Sequence, residues 1–436
     1  MAPLTALLAA HPTVGHTGAL RAMAAELRAR GHRAAFALVH AQVPFAGRWP
    51  EPVRAAAQLP SLLASDGNTV LPLRPSLRAL WHAVRLPLAT GQQELALAIS
   101  LFTAGMAGQA REIAAHCHAV GADVVVGDYL MPAALLGATL AGRPYVAVYH
   151  SALPFPAEGA PPFGTLLPES TRGSAEWTLA TERAEALGSA FGAQVSRAAA
   201  QLGVAPVPVD LVRTPVSKSL NILATAQELE PGLLPLQGPV VMTGPCLPRP
   251  APSTGDVGAL LAGLPAGRPT VYVSLGTVFN SKPTVYRVLV RGAQAAGANV
   301  LVSAGASLES LGDLAGTGVV LQRRVPQLEV LRHVDAVITH GGNNTVQECL
   351  SAGRPLVVLP FGGDQAANAH RVVRLGVGVR LDAAGLEQAA VAEALLVALS
   401  PPLRERGNAL ARALSGYGGT AAAVDALLDV VERARD

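Results

Sequence analysis

Short apolar runs of strand length alternate with longer stretches of helical period in both halves of this 436-residue chain. That alternation restricts the fold to parallel sheets built from βα units. In the first set, residues 4–10 read as a strand and 34–39 as the next one. Between them, 19–30 read as a helix carrying Leu20, Met23, Ala24 and Leu27 and ended by Gly31. Segments 123–126, 132–140 and 145–149 repeat the unit. The second set runs through 270–274, 285–296, 300–302, 319–322, 327–331, 336–339, 345–352, 356–359 and 365–375. The expected fold class is α/β, with two parallel sheets.

A chain this long exceeds one ordinary core. Residues 1–235 are read as an N-terminal domain, 236–268 as a Pro/Gly-rich connection and 269–415 as a C-terminal domain, with the boundary near residue 240. Residues 416–436 read as a helix after the breaker Gly416-Tyr417-Gly418-Gly419, free to return to the N-terminal domain. The stretches 41–120 and 151–220 are less regular and rich in proline, so loops and helices that shape a pocket are expected there.

Composition removes several function classes. There are 33 Lys and Arg against 30 Asp and Glu, a net charge of +3, and only 4% aromatic residues. Nucleic acid as main partner is therefore not expected, since neither a basic track nor stacking platforms are present. Cys117, Cys246 and Cys349 are scattered, which predicts a reducing compartment and no structural zinc. Residues 1–20 lack charge but break at His11-Pro12 without a basic start, so they fail as a signal peptide. The other uncharged run, 231–248, holds five prolines and fails as a membrane span. A soluble cytoplasmic protein is expected. Within 76–86, Arg78, His82 and Arg85 form one helical stripe and Leu77, Leu80, Trp81 and Val84 another. Such a helix packs on the core, lids a pocket, or makes a peripheral contact with an anionic membrane.

The richest motif is Thr339-His340-Gly341-Gly342-Asn343-Asn344-Thr345-Val346-Gln347-Glu348, where a strand gives way to a helix. A glycine turn there exposes first-turn amides at the positive end of the helix dipole, which favours an anion. His340 adds a donor, and Glu348 one turn on is an acceptor suited to paired ribose hydroxyls. For the turn alone, an Asn/Thr-capped helix is an equal reading. The second constellation decides between them. Pro360-Phe361-Gly362-Gly363-Asp364-Gln365, with Asn368, follows the next strand, and Ser274-Leu275-Gly276-Thr277 ends another. Ligands in open α/β sheets sit beyond the carboxyl ends of strands. An Asp–Gln pair matches the vicinal hydroxyls of a sugar, and small residues at 274–277 let a phosphate approach.

The region 274–368 resembles the donor-binding half of the inverting nucleotide-sugar glycosyltransferases of the UDP-glycosyltransferase family. That family includes plant secondary-product, animal glucuronosyl and bacterial natural-product enzymes, of GT-B architecture. Its pattern, a strand entering H-x-G-x-N-[ST]-x-x-E and then P-x-x-x-[DE]-Q, is matched by His340, Gly342, Asn344, Thr345, Glu348, Asp364 and Gln365. The resemblance implies that His340, Gly342, Asn344 and Thr345, with Thr277 and Asn343 from the adjoining turns, hold the diphosphate. It further implies that Glu348 holds the ribose and Asp364 with Gln365 the sugar. Arg324-Val325-Pro326-Gln327 resembles the family's aromatic-x-Pro-Gln, so Arg324, Val325 and Gln327 would surround the nucleobase. Arg324 replaces the aromatic ring, and its guanidinium plane can lie on uracil or thymine alike.

In the first half, His11-Pro12-Thr13-Val14-Gly15-His16-Thr17-Gly18 resembles the family's G-H-x-x-P, whose histidine is the general base. Thr17-Gly18-Ala19 stand where Asn-Pro is common. An imidazole with a pKa near ~6.5 can take a hydroxyl proton at neutral pH. His16 fits the motif, and His11 competes with it. A carboxylate on the other ring nitrogen fixes the tautomer. Asp128 is chosen for this, at the end of a stretch resembling P-D-[LV]-V-V-x-D, whereas Asp123 lies at the entering end of that strand.

No Asp-x-Asp occurs, so no carboxylate pair is evident for a metal, and helix amides with His340 would stabilise the leaving diphosphate. His116-Cys117-His118 would fan out on a helix. Gly-x-Gly-x-x-Gly and Walker A motifs are both missing. The reading is thus two facing Rossmann-like domains with the active cleft between them. They would move a hexose from a UDP- or dTDP-sugar to a hydroxyl of a small lipophilic acceptor, with inversion and without a metal or other cofactor. Rival readings are a sugar-nucleotide epimerase or hydrolase on the same plan, and a non-catalytic protein that binds nucleotide sugar.

Overall fold

Every residue of β1 (Thr5–Ala10) is buried, so both of its faces must be covered, as in a sheet flanked by helices. The computed structural model describes residues 3–40, 51–76, 79, 91–165, 167–248, 257–276, 281–362 and 364–435. It divides into two compact units, Met1–Pro248 with Tyr417–Asp436, and Arg249–Gly416.

The first unit holds β1, β2 (Arg33–Val39), β3 (Thr69–Leu73), β4 (Val124–Asp128), β5 (Tyr145–Tyr149), β6 (Leu220–Leu223) and β7 (Val240–Met242). Their order is β3-β2-β1-β4-β5-β6-β7, with every pair parallel. Alternation along β1 feeds two cores. Leu7 and Ala9 join Ile113, Leu136, Phe191 and Val195 from three helices on one face. Leu8 and Ala10 join Leu20, Met23 and Leu27 of the Val14–Ala29 helix on the other, with Val424, Leu427 and Val431 of the Gly419–Arg435 helix. The C-terminal helix is also pinned by Arg435 to Asp123 at 2.7 Å and by Arg30 to Asp425 at 2.5 Å.

One element departs from the sequence reading, and another was not delimited by it. Val240–Met242, inside the stretch taken as a connection, pairs with β6 and forms one edge of the sheet. Edge strands are short and tolerate neighbouring prolines, which is why this one reads as a linker. Pro72 in β3 shows the same tolerance at the opposite edge. Ala175–Leu202 is a 28-residue helix within 151–220, where loops and helices were expected but no helix was delimited. Its buried face includes Ala180, Ala184, Gly188, Gly192 and Ala198, so the apolar signal is faint. Small residues are required there: a Cβ on Gly192 would collide with the Val209 carbonyl, and one on Gly188 would lie 2.6 Å from Asp210 Oδ1.

The second unit holds β8 (Thr270–Ser274), β9 (Asn299–Ser303), β10 (Val319–Gln322), β11 (Ala336–Thr339), β12 (Leu356–Val358) and β13 (Gly378–Arg380). Their order is β10-β9-β8-β11-β12-β13, again all parallel. Val271, Val273, Ile338 and Val357 pack under Leu289 and Val290 of the Pro283–Ala295 helix and Val391 and Leu395 of the Gln388–Ala398 helix.

In each unit the strand order reverses once, between β1 and β4 and between β8 and β11. The carboxyl ends at such a switch point form the natural ligand crevice. Thr277 and, apart from Ser76 and residue 79, the stripe of 76–86 lie outside the described residues. Among the described residues no helix is long and apolar enough to cross a membrane. All three cysteines are buried thiols. Cys117 points into the core from the Met106–Val120 helix while His118 is exposed and His116 Nε2 reaches the Pro72 carbonyl, so 116–118 do fan out.

Candidate active site

In the first unit, the register that sets Ala9 beside Gly127 brings the loop after β1 against the end of β4. Thr13 caps the Val14–Ala29 helix, its Oγ1 accepting from the His16 amide at 3.3 Å, which places His16 in the first turn. Asp128 is the last residue of β4 and has no exposed surface. His16 Nδ1 stands 2.5 Å from Asp128 Oδ2. The other carboxylate oxygen, Oδ1, accepts from the Leu130 amide at 3.0 Å and has His150 Nε2 at 3.1 Å. His150 follows β5, the strand paired to β4, so three adjacent strand ends contribute to the cluster.

Burial alone would raise the Asp128 pKa, but attraction and hydrogen bonding from His16 and His150 overcome it and hold the carboxyl well below its ordinary range. A carboxylate there keeps the proton of His16 on Nδ1, which leaves Nε2 as the basic nitrogen. His11 is in a different situation. Burial lowers its pKa to about 4, its Nε2 bonds the Leu130 carbonyl at 3.1 Å, and its ring stacks on Phe102 at 4.3 Å. Phe102 also meets the His16 ring at 5.1 Å. His16, Asp128 and His150 are the described ligating side chains whose donor atoms fall within 4.8 Å of one another.

In the second unit, β11 runs into His340, Gly341 and Gly342, and Gly342 caps the Asn343–Ser351 helix. Gly341 takes φ +89°, and a Cβ there would sit 2.6 Å from Val358 Cγ1, so the turn admits only glycine. Asn343 and Thr345 are buried in the first turn and Asn344 is half-buried, with the helix amides directed out of the strand ends. His340 is 9% exposed, and burial lowers its pKa to about 4 against a hydrogen bond to the Ser274 carbonyl. It is therefore a neutral donor or acceptor at physiological pH. Its ring is flanked by Gly276 and Gly342, whose added Cβ atoms would each come within 2.6 Å of it.

Gln327 ties together residues expected from the sequence to meet the nucleoside and the diphosphate. Its Oε1 accepts from Tyr272 Oη at 3.0 Å, and its Nε2 donates to Glu348 Oε2 at 2.5 Å and Thr345 Oγ1 at 3.3 Å. Burial pushes the Glu348 pKa up to about 7, with the Gln327 bond opposing the rise. Val325 is half-buried and Arg324 exposed just ahead of Gln327. Gln365 is buried, its Oε1 accepting from the amides of Phe361 at 2.7 Å and Gly362 at 3.3 Å, so its carbonyl holds the loop and its NH2 group is the part suited to a sugar. Asp364 stands at the N-terminal end of the next helix, Gln365–Arg374, and its Oδ2 accepts from Asn368 Nδ2 at 3.3 Å.

Sequence reasoning did not single out His150, Phe102, Tyr272 or Arg371. His150 carried one usable signal, a histidine immediately after a strand of the first sheet. The others touch the site from helices or a strand interior, and no local pattern marks such positions.

A family model described as UDP-glucoronosyl and UDP-glucosyl transferase matches residues 264–409. The vancomycin aglycone glucosyltransferase of Amycolatopsis orientalis is 30% identical over 382 residues, which cover 85% of this chain and 88% of that protein. The NDP-glycosyltransferase YjiC of Bacillus subtilis is 41% identical over 116 residues, 26% of this chain, and the chain spans 29% of that relative's length. The solved structure of the glycotransferase of kitacinnamycin has the same fold, with a TM-score of 0.71 over 99% of this chain and 100% of that one at 24% identity.

Proposed function

Since the chain belongs to the UDP-glucoronosyl and UDP-glucosyl transferase family, we propose that it moves a hexose from a UDP- or dTDP-sugar to a hydroxyl of a small lipophilic acceptor. The transfer inverts the anomeric carbon and uses no metal. The observation that carries this reading is the pairing of His16 Nδ1 with the buried Asp128 carboxylate at the switch point of the first sheet.

His16 Nε2 takes the acceptor proton while the acceptor oxygen attacks C1 from the face opposite the diphosphate. The bond from C1 to the diphosphate oxygen breaks, and that oxygen leaves with the electron pair. Asp128 stabilises the imidazolium until it returns the proton to solvent. The leaving diphosphate is held by the first-turn amides of the Asn343–Ser351 helix with Asn344, Thr345 and His340. Glu348 and Gln327 hold the nucleoside, and Asp364 and Gln365 hold the sugar.

Mass-shift screening of lipophilic alcohols and phenols against several UDP- and dTDP-hexoses, with and without EDTA, tests the reading. A β-glycoside from an α-linked donor, formed equally in EDTA, supports it. Free sugar or an isomerised donor without acceptor would point to the hydrolase or epimerase reading. Donor binding with no turnover of any kind would leave a binding protein.

A further inference from the structure

We propose that Arg371 is a positioning residue of the donor site, a brace that sets the diphosphate turn in register with Asp364. The inference rests on the donor-site reading above and deepens it.

Arg371 lies in the Gln365–Arg374 helix with only 7% of its surface exposed. Burying a guanidinium is costly, and a Met or Leu would fill the same volume without that penalty. What the arginine supplies is a planar fork of donors. Its Nη1 donates to Asn343 Oδ1 at 3.2 Å and to Asn368 Oδ1 at 3.1 Å. Both acceptors are buried, Asn343 at 5% and Asn368 at 0%.

Each asparagine passes the constraint on. Asn343 is the first residue of the helix whose amides face the diphosphate position. Asn368 Nδ2 donates to the Gly341 carbonyl at 2.9 Å and to Asp364 Oδ2 at 3.3 Å. One guanidinium nitrogen therefore fixes the turn at residues 341–343 from both ends and links it to the carboxylate that reads the sugar. Gly341 and Gly342 have no side chains of their own with which to make such bonds, so side chains from neighbouring elements must supply them. The charge of Arg371 also lies beside the positive end of the Asn343–Ser351 helix, where it adds to the field an anion meets.

This arrangement predicts coupling between phosphate and sugar recognition, and a merely structural arginine would not produce it. The test uses the full chain as wild type, Arg371→Lys, Arg371→Met and Asn368→Asp. The last variant keeps the oxygen that Arg371 uses and removes the Nδ2 donor to Gly341 and Asp364. Binding of UDP, dTDP and the matching hexose donors is measured by calorimetry, with KM for donor and acceptor and thermal melting alongside.

The expected result is a donor KM raised roughly tenfold, an acceptor KM within about twofold, and only part of the loss recovered by lysine. The preference for nucleotide sugar over bare nucleotide diphosphate should shrink, because Asp364 loses its register. Asn368→Asp should reproduce that shrinkage, so the idea stays testable if Arg371→Met does not fold. Unchanged donor affinity in folded variants overturns the proposal. So does a parallel rise of donor and acceptor KM that tracks lost melting temperature. Failure of the wild type to bind any nucleotide sugar would instead sink the donor-site reading itself.

Discussion

Asp128 is fully buried and His16, 2.5 Å away through Nδ1, keeps 19% of its side chain exposed. The pair therefore has one end fixed in the protein and one end able to meet a substrate. Replacing His16 by Ala should cut turnover by roughly 10²-fold or more and leave donor affinity nearly unchanged. Asp128→Asn keeps the shape but gives Nδ1 an amide in place of a carboxylate, so the tautomer is no longer enforced and turnover should fall comparably. Steady-state kinetics with a saturating donor check both, and retained turnover in His16→Ala removes this residue as the base.

His150 gives Asp128 a second imidazole, with Nε2 3.1 Å from Oδ1. It helps hold the Asp128 carboxyl below its ordinary range, against the desolvation that raises it. Activity needs Asp128 ionised, so losing His150 should move the acid limb of the kcat profile to higher pH. The expected result for His150→Leu is about a tenfold loss of kcat with that shift, and His150→Gln should keep part of the rate through its amide NH2. A pH profile superimposable on the wild type would show that His150 does not act through Asp128.

Glu348 supplies a stability prediction with a definite sign. Burial raises its pKa from 4.5 to about 7. Between those values the folded chain holds a proton that the unfolded chain has released, so stability falls as pH rises through the window. Above about 7 the cost of the buried charge stands in full, at roughly 1.4 kcal/mol for each tenfold change in proton affinity. Glu348→Gln removes that cost and can still accept from Gln327 Nε2. Its melting temperature should match the wild type near pH 4.5 and exceed it at pH 8, while affinity for the nucleotide drops because the ribose loses its acceptor. A constant difference across the range would show that Glu348 does not titrate with a raised pKa.

The legible parts of this chain were those where a strand end and its chemistry are adjacent in sequence. β1 with His16, β4 with Asp128 and β11 with His340 through Glu348 each fit within a dozen or so residues, so pattern and chemistry could be read together. β7 was hidden because a three-residue edge strand carries almost no periodicity. The Ala175–Leu202 helix was hidden because close approach of residues 209–212 demands Ala and Gly where an apolar stripe would announce a helix. His150 reaches Asp128 from 22 residues away in sequence and Arg371 reaches Asn343 from 28, and such contacts follow from strand order rather than from any local motif.

The close packing of Gly276 on His340 gives the sharpest steric test. Gly276 has φ +71°, where a side chain is strained, and its Cβ would lie 2.6 Å from His340 Cε1 and 2.7 Å from Nε2. The imidazole cannot retreat, because it is buried, bonded to the Ser274 carbonyl and flanked on another side by Gly342. Gly276→Ala should therefore displace His340, which leads into the turn at residues 341–343, or shift residue 276 itself. Donor KM should rise by roughly tenfold or more, while the His16–Asp128 pair in the other unit keeps its pH profile. Gly276→Ala combined with His340→Ala removes the clash and leaves only the backbone strain at residue 276, so the double variant should lose less donor affinity than the two single losses added together. If the two losses instead add, the effect of the alanine does not pass through His340.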